Sequence, residues 1–232
     1  MINVDTVYQR VLVTANKEQR GYITPQEFNL FANQAQMEIL KQYFYDMNQW
    51  ERVHGNELEF SDNLNLLEEK LAPFKNVSTI SETAPGIFNV NSSLTSFYKL
   101  GTVAITNKHI ELEEVTFDEY NLLSLSPLTR PTVDRPVYYW DNGNIQAQPR
   151  NDINQVTVSF VRKPSKVEWG YVVLSSKALY NANASADFEL HGSEETRLVY
   201  KILALAGITL QDPGVYKIAS GEDMKSVQQE KQ

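Results

Sequence analysis

Thr24-Pro25-Gln26-Glu27 opens a run with no helix breaker until about Trp50, and that run constrains the fold more than any other stretch. The threonine can cap the orphan amides of a helix start. The proline sits where its missing N–H costs nothing, and the glutamate completes a capping box. Phe28, Phe31, Ala32, Ala35, Ile39 and Tyr43 then recur on one stripe. At about 1.5 Å per residue the helix reaches roughly 40 Å. The rest of its surface is polar (Gln34, Gln36, Glu38, Lys41, Gln42), so it reads either as a spine shared with a neighbouring subunit or as half of a hairpin inside one domain.

Two more helices flank it. Val4, Val7, Tyr8, Val11 and Leu12 form one face of a first helix ending near Lys17. Ser61-Asp62 ahead of Leu64, Leu67 and Leu71 predicts a third, from about Ser61 to Leu71, stopped by Pro73.

From Val77 the period changes to two. Val77–Ile80, Thr95–Ile105, His109–Val115, Val137–Trp140, Asn144–Gln148 and Val156–Lys163 fit strands, and Asn142-Gly143 suits a tight hairpin between the fourth and fifth. Thr116-Phe117-Asp118-Glu119 repeats the capping-box pattern for a short helix ending near Leu125. Ser193-Glu194-Glu195 starts a last helix with Leu198, Ile202, Leu205 and Ala206 inside; Gly207 bends or ends it, and Pro213 must end it. The tail from Glu222 to Gln232 lacks apolar periodicity and needs a partner surface to become ordered. The expected class is α+β: an N-terminal helical hairpin and a C-terminal helix form a bundle, with a central antiparallel β domain inserted. The expected divisions are 1–75 helical, 76–190 β, 191–212 helix packing back on the first, and 213–232 tail.

Charge and composition narrow the function. With 29 acidic residues against 21 basic, a formal charge of -8 repels nucleic acid and anionic lipid, and the densest basic patch, Arg162, Lys163 and Lys166, is too small to track phosphates. There are no cysteines, which removes disulfides, thiolate metal sites and cysteine nucleophiles. Met1 to Arg10 has no signal-peptide pattern and no stretch of about 18 apolar residues occurs, so a soluble, non-secreted chain without membrane contact is expected.

No phosphate-binding glycine loop, dinucleotide fingerprint, nucleophile elbow or zinc-protease helix is found. His54, His109 and His191 stand far apart in polar contexts, and Glu68/Glu69, Glu113/Glu114 and Glu194/Glu195 are adjacent pairs rather than carboxyls facing each other across a cleft. The expectation is therefore no catalytic residues, no cofactor and no metal. Aromatics are the unusual feature: Tyr43, Phe44, Tyr45 and Trp50 crowd the end of the long helix, and Tyr138-Tyr139-Trp140 run together in a strand. Alternation puts Tyr138 and Trp140 on one face and Tyr139 on the other. Either the domain covers both faces, or one face is a subunit interface, where such rings concentrate.

Several segments resemble structural proteins of tailed bacteriophages. Arg135-Pro136-Val137-Tyr138-Tyr139-Trp140 through Asp141-Asn142-Gly143-Asn144 to Pro149 looks like a segment of phage connector proteins. Val156 to Pro164, with its Arg162-Lys163-Pro164 ending, then Val167-Glu168-Trp169-Gly170-Tyr171, is similar to crAss-like and podovirus-type phage proteins. Phe188-Glu189-Leu190-His191 leading to Ala206-Gly207-Ile208, and Gly21 to Asn29 near the start, extend the likeness. The resemblance implies a virion protein of the neck or tail, assembled in the host cytoplasm: a head-to-tail connector (adaptor) forming a homo-oligomeric ring of about twelve copies closed by heterologous contacts. Its implied partners are the portal protein and further ring or tail proteins, with DNA passing through without sequence-specific binding. In such adaptors the C-terminal tail reaches into the portal. Phe28, Phe31, Tyr43, Trp50, Tyr138, Trp140, Trp169 and Tyr171 are the candidate subunit-interface residues. The competing readings are another tail, collar or internal assembly subunit, and an enzyme such as a carbohydrate-active tail domain.

Overall fold

The structure, a computed structural model, describes residues 1–17, 23–52, 58–94, 96–150, 152–175, 177–209, 221–222 and 224–225, without the side chains of 48–52, 58–64 and 208–209. It mixes six helices, among the described residues, with sheets that are antiparallel apart from one two-residue strand. The chain divides into two compact units, Met1–Pro73 with Pro164–Gln232, and Phe74–Lys163.

The first unit holds α1 (Val4–Lys17), α2 (Pro25–Arg52), α3 (Leu58–Leu71) and α6 (Glu195–Thr209). Asn3 caps α1, its side-chain oxygen accepting from the Thr6 amide at 3.0 Å. Thr24 and Glu27 form the expected reciprocal pair at the start of α2: the Glu27 amide donates to the Thr24 hydroxyl at 3.3 Å, and the Thr24 amide to the Glu27 carboxylate at 2.9 Å. α6 packs against α1 and α2, and α3 against α2. Val4, Val7, Val11, Phe28, Ala32, Ala35, Ile39, Leu198 and Ile202 are fully buried there. α3 begins at Leu58, so the Ser61-Asp62 start signal lies inside it, and α6 passes through Gly207 to Thr209. Pro213 and most of the polar tail lie outside the described residues.

Residues 164–190, which the strand pattern assigns to the β domain, belong to this first unit. The reason lies on the polar side of α2. Asn29, Asn33 and Gln36, spaced four and three residues apart, face one way. Asn33 accepts from the Val167 amide at 2.9 Å and donates to the Val167 carbonyl at 2.8 Å. Asn29 accepts from the Trp169 amide at 2.8 Å, and Gln36 donates to the Ser165 carbonyl at 3.0 Å. Three side-chain amides thus satisfy the backbone of an extended segment as a neighbouring strand would. The segment then forms the hairpin β8 (Tyr171–Leu174) and β9 (Lys177–Tyr180). It returns past α1, where Asp187 accepts from the Val4 amide at 2.8 Å and Phe188 bridges to Ile2.

The second unit has two sheets. One has the order β1-β7-β3, from β1 (Lys75–Ser81), β3 (Phe97–Ile105) and β7 (Gln155–Arg162). The other has the order β2-β6-β5-β4, from β2 (Ile87–Asn89), β4 (Glu113–Glu114), β5 (Val137–Asp141) and β6 (Asn144–Gln148). α4 (Val90–Ser93) and α5 (Phe117–Leu125) complete it. Both sheets feed one core, including Ile80, Val103, Val156, Val158 and Phe160 from the first and Phe88, Tyr138, Ile145 and Ala147 from the second. The β5–β6 turn has positive φ at Asn142 (43°) and Gly143 (80°), the conformation an Asn-Gly hairpin requires. The strand expected over His109–Val115 shrinks to Glu113–Glu114, which runs parallel to β5, with a single bridge from Glu111 to Ala104.

Candidate interaction surfaces

Four of the eight aromatic interface candidates are used inside the chain. Phe28 and Tyr43 lie in the helical core, Trp169 is 2% exposed, and Tyr138 is 3% exposed in the β core. Trp169 donates its indole N–H to Asp5 at 2.9 Å, and its ring meets Tyr8 at 4.3 Å and Tyr171 and Tyr180 at 5.8 Å. Tyr8 in turn meets the edge of Phe28 at 4.8 Å. A ring clamped in this way has no face left for a neighbour, so Phe28, Tyr43, Tyr138 and Trp169 are core residues. Phe31 and Tyr171 are half-buried, and the Trp50 side chain lies outside the described residues.

The aromatic strand divides as alternation requires. Tyr138 points into the core and donates its hydroxyl to Glu114 at 3.3 Å. Burial first, then the Glu114 and Glu111 charges, raise its phenol pKa above the ordinary tyrosine range, so it stays a neutral donor. Tyr139 is covered on the other face by α5, with Phe117 edge-on at 5.5 Å and Tyr120 stacked at 5.3 Å. α5 carries its own capping box, and the Thr116 amide and hydroxyl hold the Glu119 carboxyl below its usual pKa. Trp140 stays 40% exposed at the edge, stacked on Phe97 at 5.8 Å.

A cluster of exposed apolar groups lies in a hairpin where the sequence analysis placed only Tyr171. In the β8–β9 hairpin Val172 faces Leu179 across the strands and Val173 faces Ala178, so successive pairs look to opposite sides. Val172, Val173, Leu174, Leu179 and Tyr180 are all exposed, with Val173 and Leu174 at 63%. The Tyr171–Tyr180 end rests on a packed ring, that of Trp169. A two-stranded hairpin is marginal by itself in water, and one with apolar groups on both faces gains from a partner. Tyr171-Val172-Val173-Leu174 and Lys177-Ala178-Leu179-Tyr180, a β-rich pair of runs around two residues, carried the signal. A second apolar stretch, Leu122, Leu125 and Leu128, is exposed along α5 and the loop after it, in the other unit.

The charged groups are arranged as supports. Adjacent Glu194 and Glu195 part company: Glu195 pairs with Arg10 at 2.9 Å near the surface, while Glu194 is 1% exposed. Glu194 lies 2.7 Å from the Lys70 ammonium and 3.5 Å from the Arg197 guanidinium, both buried, and Lys70 also sits over the Tyr43 ring. Neither carboxylate oxygen makes a well-aligned hydrogen bond, so charge holds the triad. The sequence reading gave Glu194 a helix-start or surface role; its burial follows from the cations that α3 and α6 bring to it. Glu111, Glu113 and Glu114 line a cavity of about 460 Å³ beside Tyr138. His191 caps the turn before α6 through Ser193, His109 is exposed in a turn, and His54 lies outside the described residues. Among the described residues no three His, Asp or Glu side chains gather to hold a metal, and no helix is long and apolar enough to cross a membrane.

Compared with known proteins, the chain matches no protein-family model, and no curated protein sequence matches it.

Proposed function

We propose that this chain is a structural subunit of a tailed-phage virion, a head-to-tail connector that closes into a ring between the portal and the tail around the DNA conduit. The observation that carries this reading is the β8–β9 hairpin. It begins at the end of the Val167-to-Tyr171 segment, which is similar to structural proteins of crAss-like and podovirus-type phages, and it presents apolar groups on both faces that stay exposed among the described residues. Such an arm suits a heterologous contact, in which one surface of a copy meets a different surface of the next and the ring closes by rotation. Trp169 anchors the arm's base to Tyr8 and Asp5 of α1. In this reading α1, α2, α3 and α6 form one bundle into which the 74–163 unit is inserted, which the interrupted first unit and the packing of α6 on α1 and α2 support. A net charge of -8 lets a duplex slide without being held by its phosphates.

The test is sedimentation of the full chain against the double variant Val172→Lys/Leu179→Lys, which charges one exposed cross-strand pair. The wild type should sediment as a closed oligomer and the variant as a folded monomer. Equal oligomers in both would remove the hairpin from the interface, and a wild-type monomer at every concentration, with or without portal, would contradict the ring.

A further inference from the structure

Tyr120 and Ser124 of α5, Arg130 and Pro131 of the loop after it, and Gln148, Pro149 and Arg150 at the end of β6 enclose a cavity of about 290 Å³. The Ser124 hydroxyl donates to the Tyr120 carbonyl at 2.8 Å, but the other polar side chains there lack such partners among the described residues. Gln148 is 7% exposed, and its side-chain nitrogen is buried with no acceptor. Arg130 and Arg150 have no carboxylate within ion-pair distance among the described residues, although the chain carries 29 acidic side chains. An unsatisfied buried amide N–H is costly, and two arginines lining one cavity bring like charge to it. Both costs disappear if an anion with acceptor oxygens occupies the cavity. The geometry points to a binding site for one small oxyanion, a carboxylate or phosphate group, held by Arg130 and Arg150 and accepting from the Gln148 amide. Guanidinium groups suit such oxyanions because their planar fork matches two oxygens at once. The Tyr120 ring and the two prolines give the non-ionic part of a ligand an apolar wall. Occupancy would fix the loop carrying Arg130 against α5 and β6, and the site stands whether or not the chain forms a ring.

Calorimetric titration of the full chain with inorganic phosphate and with succinate, at constant ionic strength in chloride, tests it. At least one probe should bind saturably at one site per chain, about tenfold or more weaker in Arg130→Gln/Arg150→Gln and little changed in Arg135→Gln, an exposed arginine outside the cavity. Absence of saturable binding by both probes would overturn the proposal. So would equal weakening in the Arg135 variant, which would mark bulk charge. Gln148→Met, close in size, supplies a second readout. It should weaken binding while leaving the unliganded protein at least as heat-stable as the wild type, because an unmet donor is removed. A clear loss of stability would mean that the amide is already satisfied within the fold, and would count against the site.

Discussion

At Thr24 and Thr116 a hydroxyl and the glutamate three residues on satisfy amides that a helix start leaves unpaired. Thr24→Ala should lower stability by about 1 kcal/mol in urea titrations at pH 7. The sign of the pH dependence follows from Glu27 and Glu119, whose carboxyls the threonine amides and hydroxyls hold below their usual pKa. A depressed folded value gives stability that is present above the unfolded carboxyl value, about 4.3, and lost as pH falls through the folded one. The penalty of Thr24→Ala should therefore shrink below about pH 4, and a penalty that grew on acidification would contradict the assignment. Glu194 is the opposite kind of carboxylate, buried between Lys70 and Arg197. Glu194→Gln leaves two buried cations without a counter-charge and should cost about 3 to 5 kcal/mol, more than Glu195→Gln, whose partner Arg10 is exposed.

Among the elements, those with a local signature were legible. The capping boxes, the apolar stripes of α1, α2 and α6 and the Asn-Gly turn each depend on a few consecutive residues, and the structure has each in place. What was not legible depends on partners distant in sequence. The polar side of α2 left a shared spine and an internal hairpin both open, because Asn29, Asn33 and Gln36 meet their backbone partners more than 120 residues later. For the same reason the aromatic candidates could not be sorted: a stripe such as Phe28 and Tyr43 is identical in sequence whether it faces its own chain or a neighbour. Asn33→Ala would strip the Val167 amide and carbonyl of their partners and should cost about 1 to 3 kcal/mol in thermal melts, with protection lost at Val167 in hydrogen exchange. Asn33→Asp can keep the bond to the Val167 amide but not the one to its carbonyl, so its penalty should be smaller than that of alanine.

In the molecule as a whole, two units each bury a core, and the chain leaves the first at Phe74 and re-enters it at Pro164. Segment 164–190 is held to α2 at Ser165, Val167 and Trp169 and to α1 through the Trp169 indole, and then projects a hairpin whose apolar groups stay exposed among the described residues. On the proposed connector reading, the exposed apolar groups of that arm are the surface that would meet the next copy. The most direct test of the connector reading is the mass of the full chain in solution, alone and mixed with its portal, by native mass spectrometry. The reading predicts one dominant closed oligomer of about twelve copies whose mass rises by a whole ring when portal is added. A strict monomer in both samples would contradict it.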